Sequence, residues 1–400
     1  MKIGLFSDTY DPQINGVASS VKILKNNLEL LGHEVSVFTT TDPNAQSGEK
    51  NVYRMPSVQV TVDNRLSLFV PPSITKKIWD LDLDIVHTHT EFTLGSLGWG
   101  VAKMYSLPHV HTMHTIYEEY THFIVKGETL NNLAKPAARL MTRSFCNSAD
   151  KVIVPTSKIK DLLKSYGSKS PMAIIPTGIE LDMFSTKDDS VDSRSSLREQ
   201  YGIAPTDKVL LFIGRISEEK NIDELLNILA DYLPQKPKVK FLLVGGGSEL
   251  EALKQLSSEL GISKQVIFAG KKPWNEIGRY YHLGDIFINA SQSETQGLTY
   301  IEALASGMPI VAKADRVLDD VLIEGENGFS FTDKTSLLDA LDKLLNDDLL
   351  CKEMSIKATK SVEKFTGAQY AVAVSNLYSE ITSKWKYPFR DAKKTFDDIF

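Results

Sequence analysis

Residues 293–311 read SETQGLTYIEALASGMPIV. SETQG is a run of small and polar residues. LTYIEALA then carries Leu298, Ile301, Leu304 and Ala305 at helical spacing, and the helix is stopped by Gly307 before Pro309 opens an apolar strand. Loop, helix, turn and strand in this order form part of a βαβ unit. One glutamate, Glu294, stands in the loop and a second, Glu302, on the helix, with seven residues between them.

The same alternation runs along the whole chain. Strands are expected at KIGLFS, EVSVFT, DIVHTH, HVHTMH, KVIVPT and MAIIPTG, and again at KVLLFIGR, VKFLLVG, QVIFAG, IFINAS and PIVAKA, with helix-period segments between them. After Asn15 one helix face carries Val17, Val21, Leu24, Leu28 and Leu31, and Gly32 ends it. The polar stretch TGIELDMFSTKDDSVDSRSS suits a linker, so a boundary is placed near Thr177. The expected fold is α/β, with two doubly wound Rossmann-like domains facing a central cleft: residues 1–177 and 178–383, with 384–400 as a tail packing back toward the first domain.

Composition agrees. Four hundred residues suit two domains, and 42% hydrophobic with 24% charged residues is the balance of a soluble globular protein. No apolar run approaches the roughly 18 residues of a membrane span, and MKIGLFSDTY has too short an apolar stretch for a signal peptide. Cys146 and Cys351 lie far apart and form neither a disulfide framework nor a metal pattern, so a reducing cytoplasm is expected. The net charge of −6 divides into +1 through residue 180 and −7 beyond it. That balance argues against a nucleic-acid partner, and makes the first half the better suited to an anionic surface.

Loops that follow parallel strands and open helices are anion sites, because unpaired N–H groups point outward there. SDTYDPQINGV ending at Gly16, GGGSE at Gly245–Glu249, and SETQGLT with Gly297, Leu298 and Thr299 all qualify. Gly245-x-Gly247-x-x-Leu250 lacks the third glycine of a dinucleotide fingerprint, which demotes hydride transfer. GRISEEKN places Arg215 and Lys220 five apart at a strand end, where two cations could grip a diphosphate; read alone, it is more simply a solvated loop. Asp80-x-Asp82-x-Asp84 resembles a metal-binding D-x-D, but it precedes the strand DIVHTH and so belongs to the edge opposite the ligand crevice, which favours a solvated strand entry. His87, His89, His109, His111 and His114 invite a zinc reading, but no flanking pattern supplies convergent ligands, and a polar substrate site would place histidines there equally well. With a diphosphate at the N-terminus of the helix after Gly297, Glu302 and Glu294 could each accept from a hydroxyl-rich group, ribose on one side and a hexose on the other.

The full string S-E-x-x-G-L-T-x-x-E-A-x-A-x-G-x-P, with G-R-x4-K upstream, resembles the large retaining glycosyltransferase family that includes glycogen synthases and phosphatidylinositol mannosyltransferases. The resemblance implies the GT-B fold. It implies that Arg215 and Lys220 hold the diphosphate, Glu294 the sugar hydroxyls and Glu302 the ribose. Gly297, Leu298 and Thr299 would offer N–H groups, Gly16 would sit against the phosphates, and His114 would contact the donor sugar near its reacting carbon. QVIFAGKK would flank the base.

Within that family, NGVASSV, HTHTEFTLG and H-T-x-Y-x-x-Y-T-H-F resemble bacterial diacylglycerol α-glucosyltransferases, the monoglucosyldiacylglycerol synthases. That resemblance implies UDP-glucose as donor, a lipid acceptor, an anionic membrane surface, no metal cofactor, and a cytoplasmic protein held peripherally at the inner membrane face. Tyr117 and Tyr120 are acceptor-side candidates. Such enzymes often carry a strongly basic amphipathic segment before the strand DIVHTH; VDNRLSLFVPPSITKKIWD has only Arg65, Lys76 and Lys77. A second basic surface is LNNLAKPAARLMTRSF, with Lys135, Arg139 and Arg143 at i, i+4 and i+8, which also reads as an ordinary crossover helix. A soluble acceptor, or a non-catalytic nucleotide-sugar binder, are the rival readings.

Overall fold

Two parallel sheets organise the chain. In the computed structural model, which describes residues 1–13, 15–46, 48–60, 65–120, 128–185 and 191–388, the first nine strands are β1 (Lys2–Phe6), β2 (Glu34–Thr40), β3 (Val52–Met55), β4 (Ser57–Gln59), β5 (Arg65–Ser67), β6 (Ile85–Thr88), β7 (His109–Thr112), β8 (Lys151–Val154) and β9 (Met172–Ile174). Seven form a sheet in the order β3-β2-β1-β6-β7-β8-β9, while β4 and β5 pair as a separate antiparallel hairpin. The second sheet runs β12-β11-β10-β13-β14-β15, from β10 (Lys208–Ile213), β11 (Val239–Val244), β12 (Val266–Gly270), β13 (Ile286–Asn289), β14 (Ile310–Lys313) and β15 (Gly328–Phe331). Each sheet is doubly wound, and its strand order reverses at one point: between β1 and β6, and between β10 and β13. Helices cover both faces, so the central strands are apolar along their length, as in buried KVLLFI and VKFLLV.

Every strand expected from the sequence is present. Those not foreseen are β3, β4, β5 and β15, all of three or four residues and partly exposed, so they lack a long apolar run. The Asp80–Asp84 acids lie where expected, at the entry to β6. Asp84 accepts from the Lys2 amide at 2.7 Å, pinning the starts of β1 and β6 together.

The first boundary falls within two residues of the expected one, and the second differs. The chain divides into one unit of Met1–Ile179 with Gly367–Phe400, and a second of Glu180–Thr366. The crossing back therefore comes at Gly367 and not at residue 384. The reason lies in the helix Gly367–Thr382, whose Tyr370, Ala371, Val374, Leu377 and Tyr378 join Ile3, Leu5, Val21, Leu24, Leu28, Val35 and Val37 in one buried cluster. Beyond that helix, Trp385 donates to the Ser106 carbonyl at 2.7 Å and Tyr387 to that of Asp84 at 3.1 Å. Residues 389–400 of the expected tail lie outside the described residues.

Nor is the polar stretch after Thr177 simply a linker. Phe184, on a short turn Leu181–Phe184, is fully buried in the second unit with its ring edge-on to Tyr281 at 5.4 Å. Arg198, on the helix Val191–Gln200, is buried and donates to the carbonyls of Leu283, Ala204 and Asp207. A few buried side chains thus fix a segment whose composition looks solvated.

Each large side chain that the helix Gly367–Thr382 buries contributes about 1.5–3 kcal/mol. A chain ending at Thr366 is expected to lose the thermal transition of the first unit while that of residues 180–366 persists, and calorimetry on the full and shortened chains checks this.

Candidate active site

In the second unit the sequence candidates gather where the strand order reverses. β10 leads through Gly214 into Arg215, then a short turn Glu218–Lys220, and Asn221 in the left-handed region (φ 49°). β13 leads into Ala290–Gly297. The two loops are tied by side chains. Asn221 donates to the Ala290 carbonyl at 3.1 Å, and Lys220 Nζ meets Glu294 Oε1 at 2.6 Å, with both side chains about 15% exposed (14% and 16%). The cation expected at the diphosphate and the carboxylate expected at the sugar are therefore in direct contact. Arg215 is exposed on the same loop. The GGGSE loop after β11 packs on it: a Cβ at Gly245 would come within 1.8 Å of the Gly214 oxygen, and Ile216 N–H donates to Gly246 at 3.0 Å. That loop's glycines serve close packing, the plainer of the readings open to them.

Gly297 opens the helix Leu298–Ala305 in the left-handed region (φ 70°), and a Cβ there would lie 2.4 Å from the Tyr300 ring. Glycine is required on both counts. Gly297 has no side chain with which to cap the helix, and the first-turn N–H groups at Leu298 and Thr299 lie at the positive end of the helix dipole, where negative charge is favoured. Glu302 lies on the same helix but is 3% exposed and accepts from Tyr281 Oη at 2.6 Å. Burial pushes its carboxyl up to about 7, against the lowering effect of the Tyr281 bond. Tyr281 was not foreseen; nothing in its sequence neighbourhood marks it apart from a core aromatic.

The first unit presents its own switch point. Asp8, after β1, is buried and accepts from Thr90 Oγ1 at 2.6 Å, from Thr93 Oγ1, and from the Leu94 amide at 3.0 Å. It thus ties the β1 loop to the β6 loop and caps the helix Thr93–Met104. The loop is marked in the sequence but Asp8 is not, since its partners are some 85 residues away. Gly16 is exposed at the first position of the helix Gly16–Leu30, whose cap is Asn15, accepting from Ala18 at 2.9 Å.

The five histidines form a row and not a ligand set; among the described residues no three His, Cys, Asp or Glu side chains are placed to hold a metal ion. His87 contacts Tyr378 Oη at 2.5 Å and Thr112 Oγ1 at 2.6 Å, and its ring lies 4.1 Å from that of His89. Thr88 bridges His109 and His111 at 2.9 and 3.0 Å. His111 reaches Glu91, which also accepts from Tyr117 Oη at 2.5 Å. His114, at the end of the row and half-buried, meets His89 at 3.0 Å. Burial and the neighbouring rings hold His87 and His89 well below the usual imidazole range, and burial with His111 pushes His114 down to about 3. His87, His89 and His114 are therefore neutral at physiological pH.

The remaining candidates separate. Lys76 and Lys77 are exposed on the helix Pro72–Leu81, next to exposed Trp79. On the helix Glu128–Ser148, Arg139 is engaged by Glu118 through two hydrogen bonds and lies 5.7 Å from the Tyr166 ring. Glu118 also accepts from Tyr166 at 2.6 Å, so Arg139 belongs to a local ion pair and is less available to an outside anion than the pattern implied. Lys135 and Arg143 are half-buried on that helix, beside exposed Leu140 and Met141. Tyr117 is committed to Glu91. Tyr120 ends the same turn, Tyr117–Tyr120, and its side chain lies outside the described residues.

Two Rossmann-like parallel sheets, each with polar side chains at its switch point, are the architecture expected of a GT-B glycosyltransferase. Models of the families Glycosyl transferases group 1 and Glycosyltransferase Family 4 match residues 193–361 and 14–183. The chain is 41% identical over 326 residues to an alpha-monoglucosyldiacylglycerol synthase of Streptococcus pneumoniae, covering 80% of this chain and 73% of the relative. It is 34% identical over 391 residues to that of Acholeplasma laidlawii, covering 96% and 98%. The solved structure of Anabaena HepE with UDP-glucose superposes with a TM-score of 0.74 at 18% identity, over 95% of this chain and all of that one (100%). The chain belongs to the glycosyltransferase family of these synthases.

Two outcomes are expected from these contacts. Arg215→Ala should lower turnover at least tenfold with the melting temperature of the second unit little changed, since one such preorganised charge is typically worth ~3 kcal/mol. Lys220→Ala and Glu294→Gln should lower turnover as much and also lower that melting temperature, because each strands the other member of the pair; steady-state kinetics beside calorimetry decides it. Glu302 has a folded pKa raised from 4.5 to about 7. Its burial therefore favours folding fully below its unfolded value and loses that advantage as pH rises through about 7. Glu302→Gln should accordingly be more stable than the wild type at pH 8, by at most about 3 kcal/mol, with the gap closing toward pH 5 in urea unfolding.

Proposed function

We propose that this protein transfers glucose from UDP-glucose to 1,2-diacylglycerol with retention at the anomeric carbon, giving alpha-monoglucosyldiacylglycerol. The observation that carries the chemistry is the Lys220–Glu294 pair beside the N-terminus of the helix that Gly297 opens, at the reversal point of a doubly wound sheet. The acceptor follows the names of the two relatives, whose identity extends over most of this chain.

As the bond between the anomeric carbon and the diphosphate breaks, negative charge builds on the departing oxygen. Arg215, Lys220 and the first-turn N–H groups at Leu298 and Thr299 meet that charge without reorganising. Glu294 accepts from the sugar hydroxyls and Glu302 from the ribose. The acceptor oxygen forms its bond on the face from which the phosphate leaves, and the departing phosphate oxygen takes the acceptor proton. No carboxylate is assigned as a nucleophile. The reaction so drawn needs no metal, because the cations at the diphosphate are side chains.

Diacylglycerol is met at a bilayer surface. Among the described residues no helix is long and apolar enough to cross a membrane. Peripheral attachment at the inner face is therefore proposed, through the first unit. There Leu68 and Phe69, 62% and 58% exposed, stand with exposed Trp79, Lys76 and Lys77. Lys135 and Arg143 beside Leu140 and Met141 form a second basic and apolar strip. Each cation near an anionic surface adds about 1 kcal/mol, screened by salt.

Radiolabelled UDP-glucose with diacylglycerol vesicles is the test. Labelled glucolipid should form, in the presence of EDTA as in its absence. Formation should rise with anionic lipid, fall with salt, and drop when Lys76, Lys77, Lys135 and Arg143 are changed together to Glu. Vesicle-independent transfer would move the acceptor to a soluble sugar, absence of UDP release would leave only a binding protein, and loss of activity to EDTA restored by Mn²⁺ would overturn the metal-free reading.

A further inference from the structure

His89 and His114 face each other through one nitrogen each, His89 Nδ1 and His114 Nε2, 3.0 Å apart. Two neutral imidazoles in such a contact share one proton: one donates and the other accepts. The second nitrogen of His89 decides which. His89 Nε2 is fully enclosed and has no hydrogen-bond partner among the described residues. If His114 donated, His89 would be the Nε2–H tautomer, with an N–H group buried and unsatisfied. If His89 donates from Nδ1, its Nε2 carries only a lone pair. Buried orphan N–H groups are rarer and more unfavourable than under-used acceptors.

We infer that His89 is a positioning residue that donates from Nδ1 to His114 Nε2, fixing His114 as the neutral Nδ1–H tautomer. The group His114 can then offer a ligand is a donor, Nδ1–H, suited to a sugar hydroxyl oxygen. His89 is itself held in place. Its ring lies against His87 at 4.1 Å, and His87 is clamped by Tyr378 on one side and Thr112 on the other. The other titratable groups around the row are His111 and, through it, Glu91 and Tyr117. Burial keeps both members of the pair uncharged, so neither gains a second proton to break the assignment.

The value of this arrangement for catalysis rests on the proposed role of His114 at the donor sugar; the tautomer does not. The experiment therefore reads both. The full-length protein labelled with ¹⁵N at histidine is measured by long-range ¹H–¹⁵N NMR, with His114→Gln to assign the signal. Wild-type His114 should be Nδ1–H and unchanged from pH 5 to 8. His89→Asn, whose side-chain amide replaces the Nδ1–H donor, should keep that tautomer. His89→Leu should lose it, and its kcat should fall about tenfold or more with KM for UDP-glucose little changed. An Nε2–H signal in the wild type, or the same tautomer in His89→Leu, overturns the inference, and the wild-type spectrum alone suffices if that variant fails to fold. If the tautomer is as stated but His114→Gln transfers glucose normally, the positioning stands and the catalytic role of His114 falls.

Discussion

Lys220 and Glu294, 2.6 Å apart and largely withdrawn from water, come from two loops that leave neighbouring strands toward opposite faces of the sheet. A doubly wound sheet creates a crevice at such a point because nothing in the backbone joins the two loops. Side chains must do so, and the chain spends its polar residues there. Asn221 reaches Ala290 beside the pair, and in the first unit Asp8 reaches Thr90, Thr93 and Leu94 across the corresponding gap. Breaking either tie would strand a buried charge, which is a stronger penalty than the tie's own net gain. Stability at the crevice and readiness for an anionic ligand are in this way the same contacts.

The two glutamates of the opening motif occupy different electrostatic worlds. Glu294 has a cation in contact and sits at the edge of the crevice. Glu302, eight positions on, is buried against a phenol and holds its proton until near neutrality. A ribose hydroxyl arriving at Glu302 would add a donor to a carboxyl that has few, and would draw its pKa down.

Much of this was legible in the sequence. The α/β class, the strands of both central sheets and the position of Arg215, Lys220, Glu294 and Gly297 follow from apolar periodicity and from loops that end strands and open helices. What was not legible depends on pairing over long sequence distance. Asp8 and its threonines, Glu302 with Tyr281, and Glu118 with Arg139 carry no local signal. The segment around Phe184 reads as solvent-facing because its composition is polar, and two side chains decide otherwise. The helix Gly367–Thr382 has an ordinary amphipathic pattern that fits either unit, and only its packing against Val21 and Leu24 assigns it.

That last helix has a consequence for how the protein is made. A ribosome completes residues 1–179 first, yet the apolar face they present to Tyr370, Val374 and Leu377 stays uncovered until residues 367–382 have been made. At 5–20 residues per second, translating the intervening segment takes on the order of ten to forty seconds. For that interval the first unit is a nearly finished domain missing one helix, while the second is free to fold. The nascent chain thus holds its first unit with an apolar face uncovered until the helix Gly367–Thr382 exists, so a break introduced late in the sequence, before Gly367, acts on the part made first.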